Sequence, residues 1–272
     1  MSRIITFLSD FGSASGYPAA MKAIAAGLSE ARIIDITHDI ERHNIREGAF
    51  VLWMVAPYFP EGTVHCAVVD PGVGTQRRGL IIKAGGQCFV GPDNGLLMPA
   101  ANRVCKFTSS QVDKLEAYSI TNEKYMRPEI SDTFHGRDIF APVAAHLANG
   151  VSPQEIGERI EECVKLSFGE GVRRGNVLLG EVIYIDNFGN VITNIDGGLL
   201  KQIAEVGSEL VVEASRKAVG VKFLRTYGFA GEGEFFLTIG SHGQVEIAKN
   251  LGSAAGELRL KAGDGVCFRR KP

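Results

Sequence analysis

The chain has 272 residues, of which 45% are hydrophobic and 22% charged, and its formal net charge is −2. That length accommodates one large domain or two, since single cores stop growing at roughly 250 to 300 residues. The near-neutral balance supplies no broad field for nucleic acid or acidic lipid, and no apolar run approaches the roughly 20 residues that span a bilayer.

In chain order, "RIITFLSD" reads as a short strand closed by "FGSASG". Its interruption by Ser9 and Asp10 departs from the pattern of a signal peptide. "YPAAMKAIAAGLSEA" has helical spacing, with Met21, Ile24, Ala25 and Leu28 on one face. "RIIDITHDI" is strand-like, and "NIREGAFVLWMVAPYF" is helical, with Asn44 as N-cap and Glu47 three residues on. "GTVHCAVVD", "GLIIKAGG" and "QCFVGPDNGLL" continue the alternation, which predicts an α/β domain with a mostly parallel sheet flanked by helices. "DTFHGRDIFAPVAAHLANG" is a loop entering a helix, and "VSPQEIGERIEE" reads as a last helix.

The glycine- and charge-rich "FGEGVRRGN" is taken as the boundary between an α/β domain over 1–168 and a smaller all-β domain over 175–272. Beyond it come short runs separated by turns: "NVLLGEVIYID", "NVITNI", "ELVVEA", "AVGVKFL", "GEFFLTIG", "QVEIA", "GELRLKAGD" and "GVCFRR". Many short strands with glycine turns predict a barrel or sandwich. The five cysteines are odd in number, scattered and without a C-x-x-C pair, as expected of reduced thiols in a cytoplasmic protein.

Ligands of open α/β sheets bind beyond the carboxyl ends of the strands. Here three strand-like runs end in Ser9-Asp10, in Thr37-His38-Asp39 and in Asp70. Each has a bland alternative: Asp10 and Asp39 as turn residues, His38 as a satisfied core imidazole. "DPGVGTQRR" has neither the G-x-x-x-x-G-K-[ST] nor the G-x-G-x-x-G spacing, so it is no phosphate cradle. Its glycines instead let Asp70 and Arg77 turn back toward each other, either for a ligand or merely to brace the turn. His135, in "SDTFHGRDIFAP", stands before a helix as ligand contact or as cap, and "YIDNFGNVITNI" offers acid, ring and amide in a pocket or in an ordinary turn. His38, His43, His65 and His135 form no H-x-H or H-x-x-x-H pair, so no metal is expected.

Taken together, "FLSDFG", "DITHDI", "GAFVLWMVAPYFPEGTVHCAVVDPGVGTQRR", "FVGPDNGLL", "SDTFHGRDIFAPVAAHLANG", "YIDNFGNVITNI" and "GQVEIAKNLGSAA" resemble the S-adenosyl-L-methionine hydroxide adenosyltransferases, relatives of the fluorinase and chlorinase. The resemblance spans nearly the whole chain in order. It implies an α/β N-terminal domain and a β-barrel C-terminal domain, assembled as a homotrimer with its active sites between subunits. It also implies hydrolysis of S-adenosylmethionine to adenosine and methionine by hydroxide attack at ribose C5′, without a cofactor.

Matched residue by residue, the resemblance implies a catalytic set of Asp70, Arg77 and His135. It places Asp10 near the adenosyl group, Phe134 and Phe188 against its rings, Asn190 on adenine, and Asp186 with Ser241 on the methionine ammonium; Gly136 and Glu246 join the substrate-binding set. One position departs from the family. Ser15 stands where an aspartate usually grips the ribose diol, leaving His43 or Asp10 to compensate, or a different nucleoside to be the substrate. Two other readings stand beside the hydrolase: a halogenase, opposed by Asp70 and His135, and a nucleoside-binding protein without turnover.

Overall fold

The computed structural model describes residues 3–107, 115–214 and 217–271. They fall into two compact units, Met1–Ser167 and Phe168–Pro272.

The first unit runs β1 (Ile4–Ser9), α1 (Tyr17–Leu28), β2 (Arg32–Thr37), α2 (Ile45–Val55), β3 (Val64–Val68), β4 (Gly79–Ala84), β5 (Gln87–Pro92), α3 (Met98–Phe107), β6 (Glu116–Ile120), α4 (Ala141–Ala148), α5 (Pro153–Ile156) and β7 (Gly157–Ile160). Its seven strands lie in the order β2-β1-β3-β5-β4-β6-β7. The first four of these are parallel neighbours. β4 and β5 are joined only by Gly85 and Gly86, both at positive φ. So short a link cannot cross over, and two left-handed residues suit a tight hairpin. β4 therefore runs antiparallel to β5, and β6 and β7 continue antiparallel beyond it, which makes the sheet mixed.

Alternation along β1 supplies both faces with apolar side chains. Ile5 and Phe7 join Cys66, Val90 and the buried sides of α1 and α4 in one core, whereas Leu8 points toward α2 at Gly48. Asn44 caps α2 by accepting from the Glu47 N–H at 3.0 Å, but the Glu47 carboxylate accepts from the Glu41 N–H instead of closing the box. β1 is flanked by β2 on one side and β3 on the other, so the strand order reverses beside it. The carboxyl ends of β1 and β3 thus form the switch point at which such sheets bind ligands.

The expected helix over "VSPQEIGERIEE" is not formed as such. The turn capped by Ser152 ends at Ile156, and Gly157–Ile160 pair with β6 as an edge strand. Glycine is a poor helix former, and the open edge of β6 provides hydrogen bonds that local propensity cannot.

The second unit comprises β8 (Val172–Arg174), β9 (Val177–Ile185), β10 (Val191–Asp196), α6 (Gly197–Lys201), β11 (Glu209–Ala214), β12 (Lys217–Phe223), β13 (Phe235–Ile239), β14 (Gln244–Lys249), α7 (Ala254–Leu258) and β15 (Gly265–Arg270). β9 pairs with both β15 and β10, so seven strands close into a barrel, with β8 added outside as a hairpin on β9. Leu178, Val212, Leu237, Ile247 and Phe268 fill its interior. "GELRLKAGD", expected as a strand, begins in a short helix: the Ser253 hydroxyl caps it by accepting from the Gly256 N–H, and Arg259 ends it at φ +57°. Among the described residues no helix is long and apolar enough to cross a membrane.

Candidate active site

The loop after β3 carries Asp70 and Arg77, and its turns are held by backbone bonds from Val73 to Asp70 and from Thr75 to Gly72. Gly74 sits at φ +75°, and a Cβ built there would lie 2.4 Å from the Asp132 carbonyl oxygen. Only glycine allows both that conformation and that approach. The result brings the 131–135 segment, with His135, alongside the Asp70 loop.

Arg77 is the centre of the site. Its Nε donates to Asp70 Oδ1 and Oδ2 at 3.0 and 2.9 Å, and its Nη2 donates to Asp70 Oδ2 at 2.6 Å. The same Nη2 lies 2.7 Å from His135 Nδ1. A guanidinium has no acceptor, so Nδ1 must be the acceptor and the neutral ring carries its proton on Nε2. The side chains of Asp70 and Arg77 are only 5% and 12% exposed, and Arg77 lies over the Phe140 ring at 5.2 Å. Among the described residues Arg77 Nη1 has no protein acceptor, which leaves one donor group of the fork for a ligand. Burial, and then the Arg77 charge, hold His135 below the ordinary histidine range.

His135 does not cap the helix that follows, since no side-chain cap bond is formed. Instead Gly136–Phe140 make one π-helical turn before α4, a distortion frequent at functional sites. Asp138 in that turn is fully buried. Burial alone would raise its carboxyl, but bonds from Arg137, the Ser131 N–H and Arg127 outweigh it and hold it at about 2. The cluster ties residues 127–131 to the turn that presents His135.

Around the switch point, Asp10 Oδ2 accepts from the His43 N–H at 2.9 Å, with His43 itself at φ +66°. The Ser15 hydroxyl donates to the Gly12 carbonyl at 3.0 Å. Phe134 is buried edge-on against Phe11 and Tyr17, and Gly136 packs on Met21 and Phe11. Asp39 braces a turn by accepting from the Ser13 N–H and hydroxyl. His38 bridges the Ser9 hydroxyl and Asp35. His65 is buried between Thr6 and Gln87, and burial depresses it to about 4. Among the described residues no group of three or more His, Cys, Asp or Glu side chains is arranged to hold a metal ion.

In the barrel unit, Asp186 Oδ1 accepts from the N–H groups of Phe188 and Asn190, and its Oδ2 accepts from Asn190 Nδ2. Tyr227 donates to Glu246 at 2.7 Å, and His242 Nε2 lies 3.0 Å from the other Glu246 oxygen. Asp186, Asn190 and Glu246 are thus joined. Ser241 is exposed on the β13–β14 turn, and Phe188 is 80% exposed, so neither side chain belongs to the network. Tyr227 and His242 were not among the residues singled out from the sequence. The H-x-x-x-E spacing of His242 and Glu246 was the available signal, and nothing local marks Tyr227.

An α/β sheet with an acid, a guanidinium and an imidazole in contact at its switch point, followed in the chain by a closed barrel, has the organisation of a recognised adenosyl-transferring class. Residues 5–157 match the SAM hydroxide adenosyltransferase N-terminal domain and residues 180–267 the SAM hydroxide adenosyltransferase C-terminal domain, and the chain belongs to that family. The (R)-S-adenosyl-L-methionine hydrolase of Salinispora tropica is 39% identical over 263 residues, spanning 96% of this chain and 95% of that protein. The protein of the same name from Thermus thermophilus is 38% identical over 275 residues, spanning 96% and 97%. A crystal structure of a conserved protein from Thermotoga maritima superposes with a TM-score of 0.90 at 37% identity, covering 98% of this chain and all of that one.

Proposed function

We propose that this protein hydrolyses S-adenosylmethionine, in the (R)-sulfonium form named for its relatives, to adenosine and methionine. The observation that carries the reading is the Arg77 fork, which joins Asp70 and His135 in one half-buried triad. An O–C5′ bond forms as the C5′–S bond breaks, and sulfur keeps the electron pair and leaves as a neutral thioether. The leaving group needs no acid, so the catalytic demand falls on water. Asp70 Oδ1 receives a single guanidinium contact and keeps lone-pair capacity, so it takes the proton. The Arg77 guanidinium stabilises the resulting hydroxide, and His135 Nδ1 keeps that guanidinium in place. Water and a sulfonium balance the reaction without a cofactor. Opposite charges meet and cancel on the way to the transition state, so a dry site assists.

Asp10 and the His43 turn serve the ribose side, with the Ser15 hydroxyl able to accept one ribose bond. Phe134, Gly136 and Phe188 serve the flat rings, Asn190 serves adenine, and Asp186, Ser241 and Glu246 serve the amino acid. The protein works as a cytoplasmic homotrimer with its active sites at subunit interfaces. The family resemblance supports this assembly, and five scattered cysteines, odd in number, suit a reducing compartment.

A halide nucleophile is disfavoured by the Asp70 carboxylate at the nucleophile position. The test is incubation with S-adenosylmethionine in ¹⁸O-labelled water, with and without chloride, followed by mass spectrometry. Labelled adenosine, lost in Asp70→Ala, supports the reading. Chloride-dependent product supports a halogenase, and ligand bound without turnover supports a binding protein.

A further inference from the structure

Three segments far apart in the chain meet in the barrel unit. The 186–190 turn supplies Asp186 and Asn190, the 227–229 turn supplies Tyr227, and the β13–β14 turn with β14 supplies His242 and Glu246. Asn190 Nδ2 donates to the Tyr227 oxygen at 3.4 Å while the Tyr227 O–H donates to Glu246 Oε2 at 2.7 Å. His242 Nδ1 accepts from the Gln244 N–H at 3.1 Å, which puts the ring proton on Nε2, 3.0 Å from Glu246 Oε1. Each oxygen of this 6% exposed carboxylate is therefore held by its own donor.

All of these donors are neutral. Asp186 is held by two backbone N–H groups and one amide, and Glu246 by a phenol and an imidazole. Among the described residues neither carboxylate has a lysine or arginine partner. A buried carboxylate fixed in place yet left without a cation is suited to a cationic ligand. Burial, and then the bond to Glu246, push the Tyr227 phenol above its ordinary range, so it remains a donor across the physiological pH range.

We infer that Tyr227 and His242 are positioning residues for the cationic amino-acid end of the substrate: they fix the Glu246 carboxylate, one at each oxygen, and Tyr227 ties it to the Asp186–Asn190 turn. The inference rests on the hydrolase reading. It assigns the two residues to recognition of the amine, with no part in the chemistry at C5′.

The experiment compares KM and kcat for S-adenosylmethionine, and the inhibition constant of adenosine, in the wild type and in Tyr227→Phe, His242→Ala and His242→Gln. Tyr227→Phe and His242→Ala are expected to raise KM about tenfold, the usual worth of one bond to a charged group, with kcat within about threefold. Adenosine lacks the amine, so its inhibition constant should stay within about twofold in all three variants. His242→Gln keeps an N–H donor and should recover most of the affinity. An unchanged KM, or adenosine binding weakened in parallel, overturns the assignment and leaves the hydrolase reading intact. Absence of both turnover and binding of S-adenosylmethionine in the wild type overturns the hydrolase reading and the assignment with it. Should His242→Ala fail to fold, Tyr227→Phe, which removes a single oxygen, decides the question.

Discussion

Replacing Arg77 by lysine tests the triad most directly, because charge is kept while the fork is lost. The guanidinium reaches Asp70 through two nitrogens and His135 through one of the same two. A lysine ammonium is a point donor on a flexible stem and cannot hold both partners in that geometry. At least two charge-assisted bonds are lost, one to each partner, at about 1.5–3 kcal/mol each. If the transition state feels the whole loss, about 3–6 kcal/mol lowers kcat/KM by about 10²- to 10⁴-fold. The assay is initial-rate adenosine formation, with thermal melting to show that the fold persists. Arg78→Lys is the control, because Arg78 is bonded to Asp93 outside the triad. Arg77→Lys within about threefold of wild type, at unchanged melting temperature, would refute the role given to the fork.

Three further outcomes are expected. His135 must stay neutral at Nδ1 to receive Arg77, and its affinity for a proton is lowered. Activity should therefore be flat above about 6.5 and fall only at lower pH, whereas an acid limb centred above 6.5 would contradict the geometry. His65 is depressed to about 4 in the folded state, so its contribution is complete above the unfolded value near 6.5 and is lost as pH falls to about 4. Wild type should lose about 3 kcal/mol more stability than His65→Gln across that window in urea titrations; parallel curves would exclude the effect. Gly74→Ala places a Cβ 2.4 Å from the Asp132 oxygen at a positive φ, so the loop must shift. A left-handed alanine alone costs about 1–2 kcal/mol, so melting should fall by a few degrees and kcat/KM should drop about tenfold or more. Wild-type activity in this variant would show that the close approach is dispensable.

What the chain disclosed by inspection was mostly local. Strands ending in acids, the Asn44 cap and the bare turn between Asp70 and Arg77 are short-range patterns, and the structure places the Asp70–Arg77 pair in contact with His135, 58 residues further on. The misread segments are those where a neighbour overruled propensity. "QEIGERI" is mostly helix formers around Gly157, yet β6 captures its second half as a strand. "GELRL" alternates like a strand, yet the hydroxyl of Ser253, outside that stretch, starts a helix. Even the Glu47 partner in the expected capping box is drawn off to Glu41. The Tyr227–Glu246 contact joins two elements through the folded barrel, and no spacing in the sequence announces it.

Closure of the barrel bears on how the protein behaves when concentrated. A strand with free N–H and C=O groups along one side is a template for another chain, and proteins blunt such strands by keeping them short or charged. Here the circuit through β9 leaves β8 as the outer strand of the barrel sheet, three residues long with two arginines. The mixed sheet ends on one side in β7, four residues bearing Glu158 and Arg159, and on the other in β2, which carries Arg32 and Asp35. β7 and β8 are short and charged, while β2, six residues long, carries one charge of each sign. Short, charged margins of this kind disfavour strand-to-strand pairing with another chain.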